Sequence, residues 1–213
     1  MVEEQYRYNN LQVGDMDLMG NKFNGHNLHL LLEQCGIHSL HCVQHKYSSD
    51  ANTILANPAP GENYAQWLLR SSYFAKSDLV HLHLIQNTDF DIQLLPLMSR
   101  LKPMVITLHD CYFLGGHCIH HGSCDKWKTQ CYDCEHLDSP IAINEDTSAI
   151  RFLQNKIAWQ NSNISVIVSS KWMEAKVAAS PVFAGKTVYR VPFGVDQTVF
   201  CPADTAVVRK ELN

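Results

Sequence analysis

"DLVHLHLI", residues 78–85, is the stretch that decides the fold. Apart from Asp78 and two histidines it is a continuous apolar run. A strand with one wet face alternates apolar and polar residues, whereas a strand of a parallel sheet covered on both faces reads as a near-continuous run. "PMVITLHD" (103–110) has the same character, and its Pro103 falls at the strand start, where a missing N–H does no harm. "ISVIVSS" (164–170) is a third such strand, rich in β-branched residues. Segments of helical period lie between them, and that alternation predicts an α/β fold: a Rossmann-like, doubly wound, mainly parallel sheet.

Working outward, "HNLHLLLEQC" (26–35) puts Leu28, Leu31, Leu32 and Cys35 on one apolar helical stripe stopped by Gly36, and "IHSLHCV" (37–43) follows as a strand. "NYAQWLLRSSYFAK" (63–76) predicts a helix burying Tyr64, Trp67, Leu68 and Phe74. "DFDIQLLPLMSR" (89–100) is helical, with Pro96 kinking it or falling in its first turn. "SAIRFLQNKIAWQNS" (148–162) predicts a helix with Ile150, Leu153, Ile157 and Ala158 inward. "KWMEAKVAAS" (171–180) is a helix capped by Ser169 or Ser170, and "KTVYRVPFGVD" (186–196) closes with a strand. Before residue 25, "LQVGDMDLM" (11–19) is either a weak first strand or no strand.

Composition narrows the function. Of the 213 residues 46% are hydrophobic and 18% charged, enough for a sizeable core and too apolar for global disorder. A net charge of −4 argues against nucleic acid as a partner. No apolar run reaches membrane-spanning length. "MVEEQYRYNN" (1–10) has neither a basic nor an apolar secretory region, so a cytoplasmic, reducing location is expected.

In an open α/β sheet, ligands bind beyond the carboxyl ends of the strands. The polar residues there are His83 with Asn87, His109 with Asp110, Ser169 with Ser170, and Gly194. Each alone reads equally well as a turn residue; together they outline a cleft. His81 and His83 share one sheet face, so His81 reads as a satisfied core histidine and His83, nearer the strand end, as the site candidate.

Residues 111–147 form a long loop without periodicity, and such loops are usually functional or stapled. "HDCYFLGGHCIHHGSCDKWKTQCYDC" (109–134) holds five of the eight cysteines. Cys118, Cys124, Cys131 and Cys134 leave three states open: a structural zinc site, free thiols, or disulfides. The Cys131/Cys134 spacing and the reducing compartment favour zinc. His117, His120 or His121 could replace one thiolate. Four cysteines leave no open coordination position, so a catalytic metal is not expected. Cys111 stands apart beside His109 and Asp110, and Cys35, Cys42 and Cys201 read as small apolar fillers.

"DLVHLHLIQNTDFD" (78–91), then residues 103–134, then "VIVSSKWMEAKVAASPVFAGKTVYRVPFGVDQTVFCP" (166–202) resemble, in that order, the N-terminal domain of family 4 retaining glycosyltransferases of GT-B fold, of the bacterial polysaccharide-building type. Phe193 stands where the family usually has Asn before Gly-Val-Asp. The resemblance implies that His109 and Asp110 face the transferred sugar and acceptor, and that Gly25 belongs to a glycine loop near the donor phosphates. It aligns Ser169 and Ser170 with a small polar pair leading into the next helix. It further implies that the four-cysteine loop is structural and that catalysis needs no metal. Residues 1–200 would be the acceptor-side domain and 201–213 the start of a linker to a C-terminal domain holding most of the nucleotide-sugar site. The expected function is hexosyl transfer from a nucleotide-sugar to a glycan or lipid-linked acceptor, with residues 1–213 inactive alone. A lipid-linked acceptor would bring the enzyme to the inner face of the membrane. The alternative is a non-catalytic α/β binding module whose zinc-stapled loop docks a protein partner.

Overall fold

The computed structural model describes residues 8–20, 23–138, 143–197 and 200–212. Residues 139–142 of the cysteine-rich loop and residues 198–199 of the glycosyltransferase-like motif lie outside that range. The chain forms a seven-stranded, all-parallel sheet of α/β type, consistent with a Rossmann-like fold. The strands are β1 (Asn9–Met16), β2 (His38–His45), β3 (Thr53–Leu55), β4 (Leu79–His83), β5 (Met104–Leu108), β6 (Ile164–Val168) and β7 (Val188–Arg190), in the spatial order β3-β2-β1-β4-β5-β6-β7. The helices are α1 (His26–Gln34), α2 (Tyr64–Arg70), α3 (Ser72–Lys76), α4 (Leu95–Leu101), α5 (Ser148–Gln160), α6 (Lys171–Ala179) and α7 (Thr205–Leu212). Among the described residues, no helix is long and apolar enough to cross a membrane.

The register divides the sheet into two unlike faces. Leu11, Val13, Cys42, Val80, Leu82, Met104, Ile106, Val166 and Val168 share one face and belong to the main apolar cluster with Tyr64, Trp67, Leu68, Leu95, Met98, Phe152 and Trp159. The other face carries Gln12, His41, His81 and Thr107, all buried, with Gln12 in register with both His41 and His81. So β1 is a true central strand, hydrogen-bonded between β2 and β4. It reads as weak because its alternate residues serve this polar face.

The helices correct several expectations. On α1 the buried residues are His26 and His29, while Leu31 and Cys35 are exposed; the helix turns its imidazoles, not its leucine stripe, to the polar face. On α5 the outward residues are Ile150, Leu153 and Ile157, at 62%, 55% and 47% exposure, and Phe152, Asn155, Ala158 and Trp159 point inward. Two apolar stripes compete on that helix, and the aromatic one, with the larger area to bury, wins the core. Residues 63–76 form two helices, because extended Ser71 ends α2 and its hydroxyl caps α3 at Phe74. Pro96 sits in the first turn of α4, where it costs no hydrogen bond. β3 and α7 are additional elements, and α7 buries none of its side chains.

Candidate active site

Strand order runs outward in opposite directions from β1 and β4, and an open α/β sheet leaves a crevice beyond the carboxyl ends at such a point. The loop after β1, His83 at the end of β4, and His109 just after β5 meet there. Leu84, next after His83, is left-handed (φ 44) and turns the chain sharply into a short 3-10 turn at Ile85–Asn87. That conformation is unfavourable for a non-glycine residue, and it leaves His83 as the last residue of its strand.

A chain of neutral hydrogen bonds fixes the histidines. His83 Nε2 lies 2.7 Å from Gln12 Oε1, and His83 Nδ1 lies 3.3 Å from His109 Nε2. With the Gln12 carbonyl accepting, His83 carries its proton on Nε2 and offers Nδ1 as an acceptor, so His109 donates from its own Nε2. His109 is left with an unprotonated Nδ1, a buried lone pair with no hydrogen-bond partner among the described residues. Burial holds His109 at about 4, and burial with neighbouring imidazoles holds His83 well below the usual histidine range, so both rings are neutral at neutral pH. His81 bonds Thr107 at 2.7 Å and is pushed by burial to about 3, as befits a core histidine.

Gly25 closes the crevice. It is left-handed (φ 94) just before α1, and an added Cβ would stand 2.8 Å from His83 Cδ2. Only glycine permits both that backbone and that approach. Phe23, from the same loop, stands edge-on to His109 at 5.7 Å, and Phe193, from the loop after β7, lies nearly parallel to His109 at 5.6 Å. The two phenyl rings meet edge to face at 5.4 Å.

The remaining sequence-derived candidates hold this frame or stand at its edge. Asp110 accepts from Gln86 Nε2 at 2.8 Å and from the Tyr112 amide at 2.9 Å, while burial raises its pKa. Both its oxygens are engaged, so it acts as a loop cap. Asn87 donates to Asp15 Oδ2 at 2.9 Å and ties the turn after β4 to β1. Ser170 caps α6 by accepting from Met173, and Ser169 precedes it at the end of β6. Gly194 is exposed with open space around it; its neighbour Phe193 makes the contact with His109.

Beneath α1 lies a second imidazole group. The rings of His26, His29 and His41 are 5.7 to 6.2 Å apart, and each Nδ1 is buried without a hydrogen-bond partner among the described residues. His29 Nε2 meets Asp50 at 3.0 Å and His41 Nε2 meets the Asn24 carbonyl at 3.0 Å, tying the glycine loop to β2. Burial pushes His41 to about 3. Burial opposes ionisation of Asp17, but hydrogen bonds from Ser48, Tyr47 and Leu18 outweigh it and hold the carboxylate at about 2.

In the cysteine-rich loop, Cys118, Cys124, Cys131 and Cys134 line one cavity of ≈ 260 Å³ with His117 and His121. Among the described residues, no disulfide joins any of the cysteines. His117 Nε2 is 3.4 Å from Cys134 Sγ and 3.8 Å from Cys118 Sγ, and burial with the three neighbouring thiols pushes Cys131 up to about 12. His121 stacks on buried Trp127 at 4.6 Å with both ring nitrogens unpartnered. Among the described residues, no group of three or more His, Cys, Asp or Glu is set to hold a metal ion. The donor chemistry suits zinc, and binding would require the thiolates to draw inward. Lys176 of α6 lies 4.5 Å over Trp127 and 5.3 Å over Trp172, and His120 stacks on Trp172, so the loop is docked against α6.

Comparison with protein-family models and with curated proteins finds no match for this chain. Gln12, Phe23 and Phe193 are the functional candidates that sequence reasoning missed. Gln12 lies on β1, whose strand signal in the sequence is weak, and nothing in the sequence near Phe23 or Phe193 signals that the two meet.

Proposed function

We propose that this chain is the acceptor-side domain of a retaining glycosyltransferase, the N-terminal, doubly wound half of a GT-B fold, acting on a nucleotide-sugar and a glycan or lipid-linked acceptor. The observation that carries the reading is His109: a neutral imidazole at the strand-switch crevice with an unpartnered Nδ1, oriented by His83 and Gln12. In glycosyl transfer the bond from the anomeric carbon to the diphosphate breaks, a bond to the acceptor oxygen forms, and the acceptor's proton leaves with the phosphate. A ring held at about 4 is a poor base at neutral pH, so His109 accepts a hydrogen bond from a sugar hydroxyl rather than its proton. The chain His109–His83–Gln12 fixes that acceptor in advance, the kind of preorganisation that stabilises a transition state without reorganisation. Gly25 leads into the N-terminus of α1, an end that favours an anionic donor phosphate, although its first amide, of His26, already donates to Asn24 Oδ1 at 3.1 Å.

Zinc in the cysteine loop fits as a staple held by Cys118, Cys124, Cys131 and Cys134, supplying folding free energy rather than chemistry. The test of the main reading is the anomeric configuration of the product. The polypeptide that carries residues 1–213 together with a donor-binding domain is incubated with nucleotide-sugar and acceptor, and the new linkage is read by NMR. Retention is expected; an inverted product contradicts the assignment.

A further inference from the structure

We propose that Phe23 and Phe193 form an aromatic clamp that takes the apolar face of the acceptor's pyranose ring over His109; this deepens the glycosyltransferase reading and rests on it. Two loops far apart in sequence, one after β1 and one after β7, bring these rings to one point. They touch edge to face at 5.4 Å, and each stands within 5.7 Å of the His109 ring. Phe23 and Phe193 are each 44% exposed, although the side chains behind them, Gln12 and His83, are polar and buried. Exposed apolar rings beside a cluster of polar side chains suit a ligand with one apolar face and hydrogen-bonding edges.

A pyranose has that character. Its axial C–H bonds form a patch of slight positive charge that complements the negative face of an aromatic ring. Its hydroxyls point outward, toward a lone pair such as His109 Nδ1, which is buried and unsatisfied. A straight acyl chain would match the phenyl rings but leave that nitrogen unpaired, at the cost of a buried unsatisfied acceptor. The carboxylates beside the crevice are already engaged, Asp110 by Gln86 and Tyr112 and Asp15 by Asn87. That leaves the phenyl rings to discriminate by shape and the imidazole by hydrogen bonding.

The probe is a set of methyl glucopyranosides, galactopyranosides and mannopyranosides at millimolar concentration, observed by saturation-transfer NMR with residues 1–213. At least one should bind, with transfer concentrated on the protons of one ring face. Phe193→Ala and Phe23→Ala should each weaken binding roughly three- to tenfold, and Phe193→Tyr should restore it, from the magnitude of aromatic contacts. Binding of 4-methylcyclohexanol as tight as that of the best pyranoside would overturn the proposal, as would an absence of any pyranoside binding. Pyranoside binding that survives both alanine variants but vanishes in His109→Ala would overturn the clamp and leave the transfer site standing. Binding that depends on the phenyl rings, in an enzyme that forms no glycoside, would keep the clamp as a sugar site and remove the transferase reading.

Discussion

Acidification should destabilise this protein through its buried histidines, and two of them give the size of the effect. His41 and His81 are buried, and each is held neutral at about 3, against an unfolded value of 6.5. For a base whose folded pKa is depressed, the unfolded chain binds the proton first. Stability is therefore complete above about pH 6.5 and is lost progressively as pH falls toward 3. At pH 5 each ring contributes a loss of about 2 kcal/mol, and the pair about 4 kcal/mol, from linkage between those two values. Domain stabilities lie at roughly 5–15 kcal/mol, so the effect should dominate the acid limb. Urea denaturation at pH 7.5 and pH 5, followed by tryptophan fluorescence, measures it. His41→Gln keeps a side-chain N–H for the Asn24 carbonyl and removes one titration, so the stability lost between pH 7.5 and pH 5 should shrink by about 2 kcal/mol. A wild-type stability unchanged between pH 7.5 and pH 5 would refute the claim that these imidazoles are held neutral by burial.

Gly25→Ala should cost about 1–3 kcal/mol in the same assay, because it combines a left-handed backbone with a Cβ 2.8 Å from His83; a neutral effect would mean the loop is not packed on the histidine. It should also shift the His83 and His109 ring resonances, since the ring must move. Protein purified without chelator should carry about one zinc per chain, and Cys131→Ser should raise proteolysis within residues 111–147 more than it lowers global stability. Metal-free protein with an equally resistant loop would remove the staple.

The apolar face of the sheet was legible, and the polar face was not. "DLVHLHLI" and "PMVITLHD" announce strands because their inward residues are aliphatic, and β4 and β5 lie where those runs do. β1 hides because Asn10, Gln12, Gly14 and Asp15 interrupt any hydrophobic signal, although hydrogen bonding to two neighbours makes it a strand. The same cause misled the reading of α1. A leucine stripe predicts the buried side of a helix only when the surface it packs on is apolar, and here that surface is His41 and the glycine loop. On α5 periodicity alone could not rank an Ile/Leu stripe against one carrying Phe152 and Trp159. At the site, strand-end logic found His83 and His109, which the structure brings within 3.3 Å, but gave Asp110 and Asn87 more chemistry than their hydrogen bonds leave free. Partners that converge from distant loops, such as Phe23 and Phe193, have no local signature.

The most direct test of the central claim is donor turnover in the polypeptide that joins residues 1–213 to a donor-binding domain. Nucleoside diphosphate release is followed for a panel of nucleotide-sugars, with and without acceptor, in wild type and in His109→Ala. The account predicts acceptor-stimulated release with at least one donor, reduced on the order of a hundredfold or more in the variant, consistent with loss of a preorganised hydrogen bond at the reacting sugar. The variant's urea midpoint is measured beside its turnover, because removing His109 leaves His83 Nδ1 without its donor and any loss of stability must be separated from loss of chemistry. Release at the wild-type rate in His109→Ala, or no release from any donor by the wild type, would contradict it.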